Sequence, residues 1–551
     1  MPLSINNNSL ALNVQRRYAE HTNDAATLIA RLASGTRIAG ASDDPAGQAL
    51  ASRMTAGIKG MSEARRNIND ATSMLQVADG AMANVSDSLQ RLRELAVASG
   101  NGAYGDGDRA TLQQEAGQIL QQITQVGRQT EFNGQAIFAQ ETTSIGGDPT
   151  VRNVLDGLKT GWLGAAEDMV QQYYGISGKG AKLTVNLTDS DGAGGVLASI
   201  SGGAGAMSLN IDMADFGNAA TADGGHAPQY SDRVIAHEMV HAVMLSATSF
   251  DFNGADWFRE GTAELIQGAD ERLAGDIKAA GGIDNLVGGF QDSYIYSGGY
   301  AASRYLHDQL KVAGVDGGIK GLMQAMSANP TMDLSTALNK VSQGKYADLA
   351  SFEGDFLAHG ADYIRTRMNL ENADTGAIGG FDADGGLVRD ARAVVPDAAA
   401  SSSPDKPLRN FDVVMPDNGG HTNTRRVQVQ AGQDAADLIE LQFSTMNAAA
   451  LGLADLDLGN TPVALSRIDE AIDFVGRQRV AAGASGNRLD LAVANVQTRS
   501  MNMEAARDRI QDVDYASTTV QLTRAQILQQ AASAIMTQAN GEARSVLALL
   551  R

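Results

Sequence analysis

The chain of 551 residues contains no cysteine. Disulfides, thiolate metal sites and cysteine nucleophiles are therefore excluded, and a metal ion has to be held by histidine, aspartate or glutamate. Basic residues are also scarce, with 43 Lys and Arg against 64 Asp and Glu, so the net charge is −21. Such a charge argues against nucleic-acid or anionic-membrane partners, and solubility explains it most simply.

Long apolar runs are missing as well. No stretch approaches the length of a membrane span, so we expect no membrane insertion. The first residues, MPLSINNNSLALNVQRR, lack the charged and apolar regions of a cleavable signal peptide. If the protein leaves the cell, we expect a different export route.

Both ends of the chain are predicted to be helical, because residues 7–140 and 465–551 are rich in Ala, Leu, Gln and Arg. A Gly-, Asp- and Pro-rich break at 32–47 separates a first helix from a long second one, and a third is predicted from about 109 to 130. Apolar residues recur in heptads or stripes at Leu75, Ala78, Met82, Val85, Leu89, Leu92 and Ala96, then at Ile468, Ile472, Val475, Leu489, Val493 and Val496. Alone, these patterns are typical of an ordinary bundle core, in which the two ends pack together.

Short motifs at both ends closely resemble those of bacterial flagellins. They are LASGTRI at 32–38, DDPAG at 43–47, LQRLRELAV at 89–97, FNG at 132–134, NRL at 487–489 and LLR at 549–551. The resemblance covers about 1–140 and 425–551. It implies a helical homopolymer filament, with the extreme ends forming an inner coiled-coil tube and the adjoining helices and a small hairpin forming the next shell. Val427, Val429, Ile439, Leu441 and Phe443 alternate as that hairpin requires.

The same resemblance implies partners and a location. Flagellins are exported unfolded by the flagellar secretion apparatus, with a chaperone, and lie outside the cell in the flagellar filament. Arg91 and Glu115 match positions that a vertebrate Toll-like receptor contacts in some flagellins. Lateral packing in the filament is the better interpretation of what these two residues do for the bacterium.

Residues 141–400 differ in character, with both tryptophans and many Gly-rich turns. A helix is predicted over Val151 to Tyr174, and helices fill most of the chain up to Arg367. Alternation predicts a β-hairpin from Leu183–Leu187 and Val196–Ile200 across the turn DSDGAGG, followed by a half-buried strand from Met207 to Met213. From Val394 to Thr424 the composition is that of loops and a linker.

The middle of the chain contains the sequence His237-Glu238-Met239-Val240-His241. Within a helix predicted over Ser231 to Leu245, histidines four residues apart share one face and can bind one metal ion, with Glu238 placed as general base. Ser231 or Asp232 is expected to cap this helix. A buried stripe anchors it through Ile235, Met239 and Val243. Alone, the pentapeptide is equally typical of solvated or core residues.

A catalytic zinc needs a third protein ligand and an open position. Glu260, nineteen residues after His241, is the candidate, with Glu264 one turn later as acceptor for the other N–H of a ligand histidine. Gly261 between them would let two helices approach. The run from Trp257 to Glu264, WFREGTAE, resembles the W-x-x-E-G-x-A-E helix of gluzincin metallopeptidases of the bacterial collagenase type. The alternative for the two glutamates is a solvated helix face.

An oxyanion donor is also expected. Residues from Tyr296 into the following helix resemble the helix start that carries a catalytic tyrosine in aminopeptidase-like gluzincins, so Tyr296 is the candidate, with Tyr294, Tyr300 and His307 as fallbacks. Packing is an equally good interpretation of this tyrosine cluster. In this peptidase class an edge strand holds the substrate, which makes Met207–Met213 either that edge or an internal strand.

Calcium is a weaker prediction. The pairs Asp189 and Asp191, and Asp382 and Asp384, each offer too few ligands for a calcium loop, so turn chemistry is the stronger interpretation. Four other histidines lack ligand spacing and are interpreted as surface or core residues: His226, His307, His359 and His421.

Together these motifs predict a mainly α-helical flagellin core with an inserted α+β gluzincin zinc peptidase domain, as in flagellinolysins. The predicted segments are core helices 1–140, a peptidase at 141–400, a linker at 401–424, a hairpin region at 425–464 and core helices 465–551. The expected function is a filament subunit that displays a zinc endopeptidase acting on extracellular proteins. The alternative is a purely structural flagellin whose middle domain is inactive or adhesive.

Overall fold

The structure, a computed structural model, describes residues 8–140, 143–216, 223–248, 255–397 and 406–549. Residues 401–405 of the predicted linker, and Leu550 and Arg551 of the C-terminal motif, lie outside the described residues. The chain forms two compact units. One comprises Met1–Gly80, Arg426–Phe443 and Arg479–Arg551, and the other comprises Ala81–Arg425 and Ser444–Gln478.

The N-terminal part of the chain contains the three predicted helices. They are α1 (Ser9–Ser34), α2 (Pro45–Ser99) and α3 (Asp106–Gln129), followed by the short strands β1 (Glu131–Phe132) and β2 (Gln135–Ala136). Gly35 ends α1 with a φ of 72°, a left-handed conformation that glycine adopts without strain. All seven heptad residues of α2 are buried, as the coiled-coil pattern requires.

The middle segment, residues 143–397, begins with one long helical rod. Helix α4 (Pro149–Gly157) passes through a π-helical turn at Leu158–Trp162 into α5 (Leu163–Tyr174), in agreement with the helix predicted over Val151 to Tyr174. Asp148 caps the rod by accepting hydrogen bonds from the backbone N–H groups of Thr150 and Val151.

Three strands follow the rod: β3 (Ala181–Thr188), β4 (Ala198–Gly203) and β5 (Ala206–Asp212). The predicted hairpin between the first two is wrong. Strand β5 lies between them, parallel to β3 and antiparallel to β4. The alternation of apolar and polar residues predicted the strands but not how they pair. The glycine-rich connection from β4 to β5 is shorter than the connection from β3 to β4, so β4 forms its hairpin with β5.

Short elements and helices make up the rest of the middle segment, as predicted up to Arg367. They are α6 (Met213–Phe216), β6 (Gly225–His226), β7 (Gln229–Tyr230), α7 (Ser231–Ala247), α8 (Asp256–Gln267), α9 (Asp270–Ala279), α10 (Ile283–Gly288), α11 (Ser297–Val312), α12 (Ile319–Ala328), α13 (Leu334–Val341), α14 (Leu349–Arg367) and α15 (Phe381–Asp384). These helices and the sheet enclose one continuous hydrophobic core.

The C-terminal part begins with an unpredicted strand. Phe411–Val414, expected to be linker, forms β8 and pairs in parallel with β3, so the sheet order is β4-β5-β3-β8. This short strand was not predicted because the surrounding residues are rich in Pro, Ser and Gly. Phe411 packs into the hydrophobic core. The predicted hairpin strands are present as the two-stranded sheet of β9 (Thr424–Gln430) and β10 (Leu438–Ser444), followed by α16 (Thr461–Gln511) and α17 (Tyr515–Leu549).

The first and last helices pack together in one unit, as predicted. Ala25 and Leu28 of α1 share a small apolar core with Ala525 of α17. The connections beside them are also paired, since the N–H of Val513 donates to the carbonyl of Gly35 at 3.0 Å. Among the described residues, none of the helices is apolar enough over a sufficient length to cross a membrane.

Helix α4 contacts α16 through a buried group of charged residues. Arg467 donates from Nε to Asp156 at 2.6 Å and from Nη2 to Asn153 at 2.7 Å. Arg152 donates to Glu470 at 3.2 Å, and both arginines are almost fully buried. Removing one partner from such a group leaves an unpaired buried charge, so these residues join the two helices firmly.

Candidate metal centre

Helix α7 carries both histidines of the pentapeptide on one face, with Ile235, Met239 and Val243 fully buried, as predicted. The predicted cap is wrong. The helix begins after Tyr230 without a side-chain cap, and both Ser231 and Asp232 are buried inside its first turn. Burial and the nearby Asp223 raise the pKa of Asp232 to about 8.

Helix α8 brings Glu260 against the two histidines. Its Oε2 lies 3.2 Å from Nε2 of His237 and 3.2 Å from Nε2 of His241, and the two Nε2 atoms are also 3.2 Å apart. We call these three atoms the donor triangle. Three ligand atoms around a tetrahedral zinc with bonds of about 2.0–2.1 Å are separated by about 3.3 Å. The donor triangle therefore fits zinc in size as well as in chemical type.

The charges of the cluster favour a cation at the same point. Burial lowers the pKa of His237, but hydrogen bonds to Glu260 and Glu264 outweigh it and raise that pKa to about 10. Burial raises the pKa of Glu260, whereas its bonds to the two histidines bring it far below the usual range. A positive charge is thus held between carboxylates, which is the arrangement that a cation site also requires.

Two further contacts orient the ligand atoms. Oε1 of Glu264 lies 3.4 Å from Nδ1 of His237, so its negative charge favours a proton on Nδ1 while Nε2 faces the donor triangle. Nε of Arg259 donates to Oε1 of Glu260 at 2.8 Å and leaves Oε2 for the donor triangle. The role of Arg259 was not predicted, because its proximity to Glu260 in sequence does not reveal where the guanidinium points.

Glu238 lies beside the donor triangle, with a carboxylate oxygen within 4.8 Å of ligand nitrogens of both histidines. Burial raises its pKa, which makes it a stronger base than an exposed glutamate. The backbone N–H of Ile200 in β4 acts on the same carboxylate and opposes this rise in pKa. The sequence contained no signal for this interaction between the predicted base and the sheet.

A cleft of about 340 Å³ opens over the cluster, and its wall is β4 rather than β5. Of the two alternatives for Met207–Met213, the internal strand is the one observed, because β5 pairs on both sides. Strand β4 pairs only with β5 and is therefore the edge, and Ala198, Ile200 and Gly202 line the cleft. Alternating residues of an edge strand turn their unpaired backbone groups outward.

Of the four predicted oxyanion donors, Tyr296 lines the cleft. It immediately precedes α11, and its ring centre lies 6.1 Å from that of His237. Tyr300 is fully buried and donates to Asp270 at 2.8 Å, and His307 is buried with Nε2 2.9 Å from Asp384. Tyr294 packs against the hydrophobic core. The side chains of Tyr300 and His307 are thus already engaged in buried hydrogen bonds.

The first predicted calcium pair is arranged differently from expectation. Asp191 lies close to Asp212 and Asp215, whereas Asp189 is exposed and not part of this group. Backbone N–H groups already donate to all three clustered carboxylates, including that of Gly194 to Asp215 at 2.6 Å. These bonds agree with the interpretation as turn chemistry.

The second pair also accepts bonds from protein donors. Asp384 accepts from Lys311 at 2.7 Å and from the N–H of Gly379 at 2.7 Å, and Asp382 accepts from Asn372 at 2.8 Å. Of the four histidines without ligand spacing, three are exposed and lie outside the cleft: His226, His359 and His421.

The fold defines a class of mainly helical protein whose first and last helices form one unit, while the middle of the chain carries a sheet and the donor triangle. Residues 5–143 match a family model described as the bacterial flagellin N-terminal helical region, and residues 465–550 match one described as the C-terminal helical region. The chain is 30% identical to a flagellin of Salmonella rubislaw, 28% to one of Salmonella typhimurium and 26% to one of Escherichia coli K12, over 99% of each chain.

The chain belongs to the flagellin family. It is a structural subunit that assembles with copies of itself into the extracellular flagellar filament. Neither matched segment includes the donor triangle, since the first ends at residue 143 and the second begins at residue 465.

Proposed function

We propose that this flagellin also carries a zinc endopeptidase of the gluzincin type, which hydrolyses peptide bonds of extracellular proteins at the filament surface. The observation that supports this most strongly is the donor triangle, whose sides of 3.2 Å match a zinc site and which lies beside a buried glutamate. In this proposal, residues 141–400 together with strand β8 are an inserted α+β domain between filament-core helices 1–140 and 465–551, with 425–464 as hairpin region.

The chemistry requires three roles from the chain. His237, His241 and Glu260 would hold the zinc, which when bound lowers the pKa of water and polarises a carbonyl. Glu238 accepts the proton of the attacking water and passes it to the leaving amine, a transfer favoured by its raised pKa. Tyr296 donates a hydrogen bond from its hydroxyl to the oxyanion that develops on the scissile carbonyl.

The cleft wall indicates how an extended substrate binds. Since β4 is an edge strand, a peptide can pair with its outward backbone groups by strand addition. Ile200 of this edge and Glu238 both line the cleft, so a peptide paired with β4 passes directly by the base. This arrangement favours unfolded protein segments over folded ones as substrates.

The proposal is tested by zinc binding and proteolysis together. We expect the metal-free protein to bind one zinc ion per chain and to cleave a denatured protein substrate only in its zinc-loaded form. His241→Ala should abolish both properties. His226→Ala, an exposed histidine outside the cleft, should preserve both. Zinc binding without cleavage of any denatured substrate would favour the structural alternative, in which the middle domain is inactive or adhesive.

Replacing Tyr296 by phenylalanine is expected to lower kcat about 100-fold and to leave KM nearly unchanged, because the hydroxyl acts on the transition state. Steady-state rates on a fluorogenic peptide measure this. Tyr294→Phe is the matched control, since Tyr294 packs against the core outside the cleft. Equal losses in the two variants would remove Tyr296 from the mechanism.

Export and host recognition belong to the same proposal. The subunit would use the flagellar secretion apparatus and a chaperone rather than a cleaved signal peptide. Arg91 donates to Glu115 at 2.8 Å on an exposed surface, where a Toll-like flagellin receptor could contact the pair.

A further inference from the structure

Arg272 of α9 lies outside the lining of the cleft but contacts two residues of the proposed site. Its Nη2 is 3.6 Å from Oε1 of Glu264, and its Cζ is 5.3 Å from the ring centre of Tyr296. One guanidinium therefore lies between a group that orients a ligand histidine and the residue proposed to stabilise the oxyanion.

The contact with Glu264 supports a deeply buried charge. The side chain of Glu264 is 2% exposed and touches Nδ1 of His237, so its carboxylate needs positive charge around it. Arg272 supplies part of that positive charge, and its own side chain is 38% exposed. Loss of Arg272 would weaken the hold of Glu264 on the His237 ring.

The contact with Tyr296 concerns orientation. Tyr296 is 41% exposed and precedes the first residue of α11. In the described parts of the chain, its ring contacts are with His237 and Arg272. A guanidinium over the ring is attracted to its π-face and restricts its rotation. Burial and the carboxylates of Glu260 and Glu238 raise the pKa of the Tyr296 phenol, and the positive charge of Arg272 partly opposes them.

We propose that Arg272 is a positioning residue that couples the metal-ligand side of the site to its oxyanion side by holding Glu264 and Tyr296 with one guanidinium. This inference rests on the proposed peptidase function. It assigns to α9 a role in the reaction although no residue of α9 lines the cleft.

The test combines Arg272→Gln with Tyr296→Phe in a double-mutant cycle. Arg272→Gln alone should lower kcat about 10-fold with KM unchanged, and should lower it less than twofold when Tyr296 is already phenylalanine. Zinc affinity, measured by competition with a chromogenic chelator, should fall about 10-fold in Arg272→Gln. The matched control is Arg365→Gln, which removes an exposed ion pair with Asp284 and Asp362 elsewhere in the middle segment.

Each outcome decides the inference. If Arg272→Gln lowered kcat equally in the parent protein and in Tyr296→Phe, Arg272 would not act through Tyr296. If Arg272→Gln bound zinc as tightly as Arg365→Gln does, Arg272 would not act through Glu264. If the parent protein binds zinc but cleaves nothing, the proposed peptidase fails, and the chelator measurement alone then decides whether Arg272 supports Glu264. Comparable melting temperatures of the two arginine variants exclude unfolding as the cause.

Discussion

Replacing Glu238 by glutamine is expected to lower proteolysis by about 1,000-fold while the protein still binds one zinc ion. Glutamine has nearly the same shape and keeps an oxygen that can accept the N–H of Ile200, but it cannot take a proton from water. Because Glu238 is buried and its pKa is raised, a large share of the rate depends on this one transfer. Initial rates on a denatured protein substrate, with zinc content determined in parallel, measure the effect.

Glu371→Gln is the matched control for this substitution, because Glu371 is exposed and outside the cleft. It should leave both the rate and the zinc content unchanged. Activity of Glu238→Gln within tenfold of the parent protein would show that another group serves as the base. The proposed division of roles between Glu238 and the donor triangle would then be wrong.

Replacing Gly261 by alanine is expected to destabilise the middle segment by about 3 kcal/mol and to weaken zinc binding. A Cβ at this position would lie 2.0 Å from the carbonyl oxygen of Gly299 in α11, and Gly299 itself is similarly close to the backbone of Trp257. The backbones of α8 and α11 thus touch, and a methyl group would force them apart. Since Glu260 is the neighbouring residue, this movement would displace Oε2 from the donor triangle.

Calorimetric melting of the zinc-free and zinc-loaded proteins separates the two parts of this prediction. The control is Gly275→Ala in α9, where no atom lies within 4 Å of the added Cβ. That substitution should be neutral or slightly stabilising, because alanine favours helix more than glycine does. If both variants melted at the same temperature, the close approach of α8 and α11 would not be required for stability.

The sequence predicted the parts of the site that depend on local spacing. His237 and His241 share a face because four residues make about one helical turn, and Glu260 and Glu264 follow the same rule on a second helix. The absence of a side chain at Gly261 likewise indicated where two helices approach, and the structure shows that contact. Periodicity also placed the terminal helices and the hairpin near residue 440.

Features that depend on long-range pairing could not be predicted in the same way. The order of the strands follows from which edges meet in three dimensions, so alternation placed β3, β4 and β5 but not β5 between the other two. Strand β8 comes from a segment far along the chain and was missed. Arg259 and Arg272 also escaped prediction, because long flexible side chains acquire a direction only from the residues packed around them.

The buried ion pairs between α4 and α16, Asp156 with Arg467 and Arg152 with Glu470, have a consequence for protein engineering. Helix α4 continues without a break through the π-helical turn into α5, which packs against α7. A transplant of the middle segment into another flagellin must therefore also include Arg467 and Glu470 from α16 of this chain. Without them, Arg152 and Asp156 of the graft would be buried without these partners.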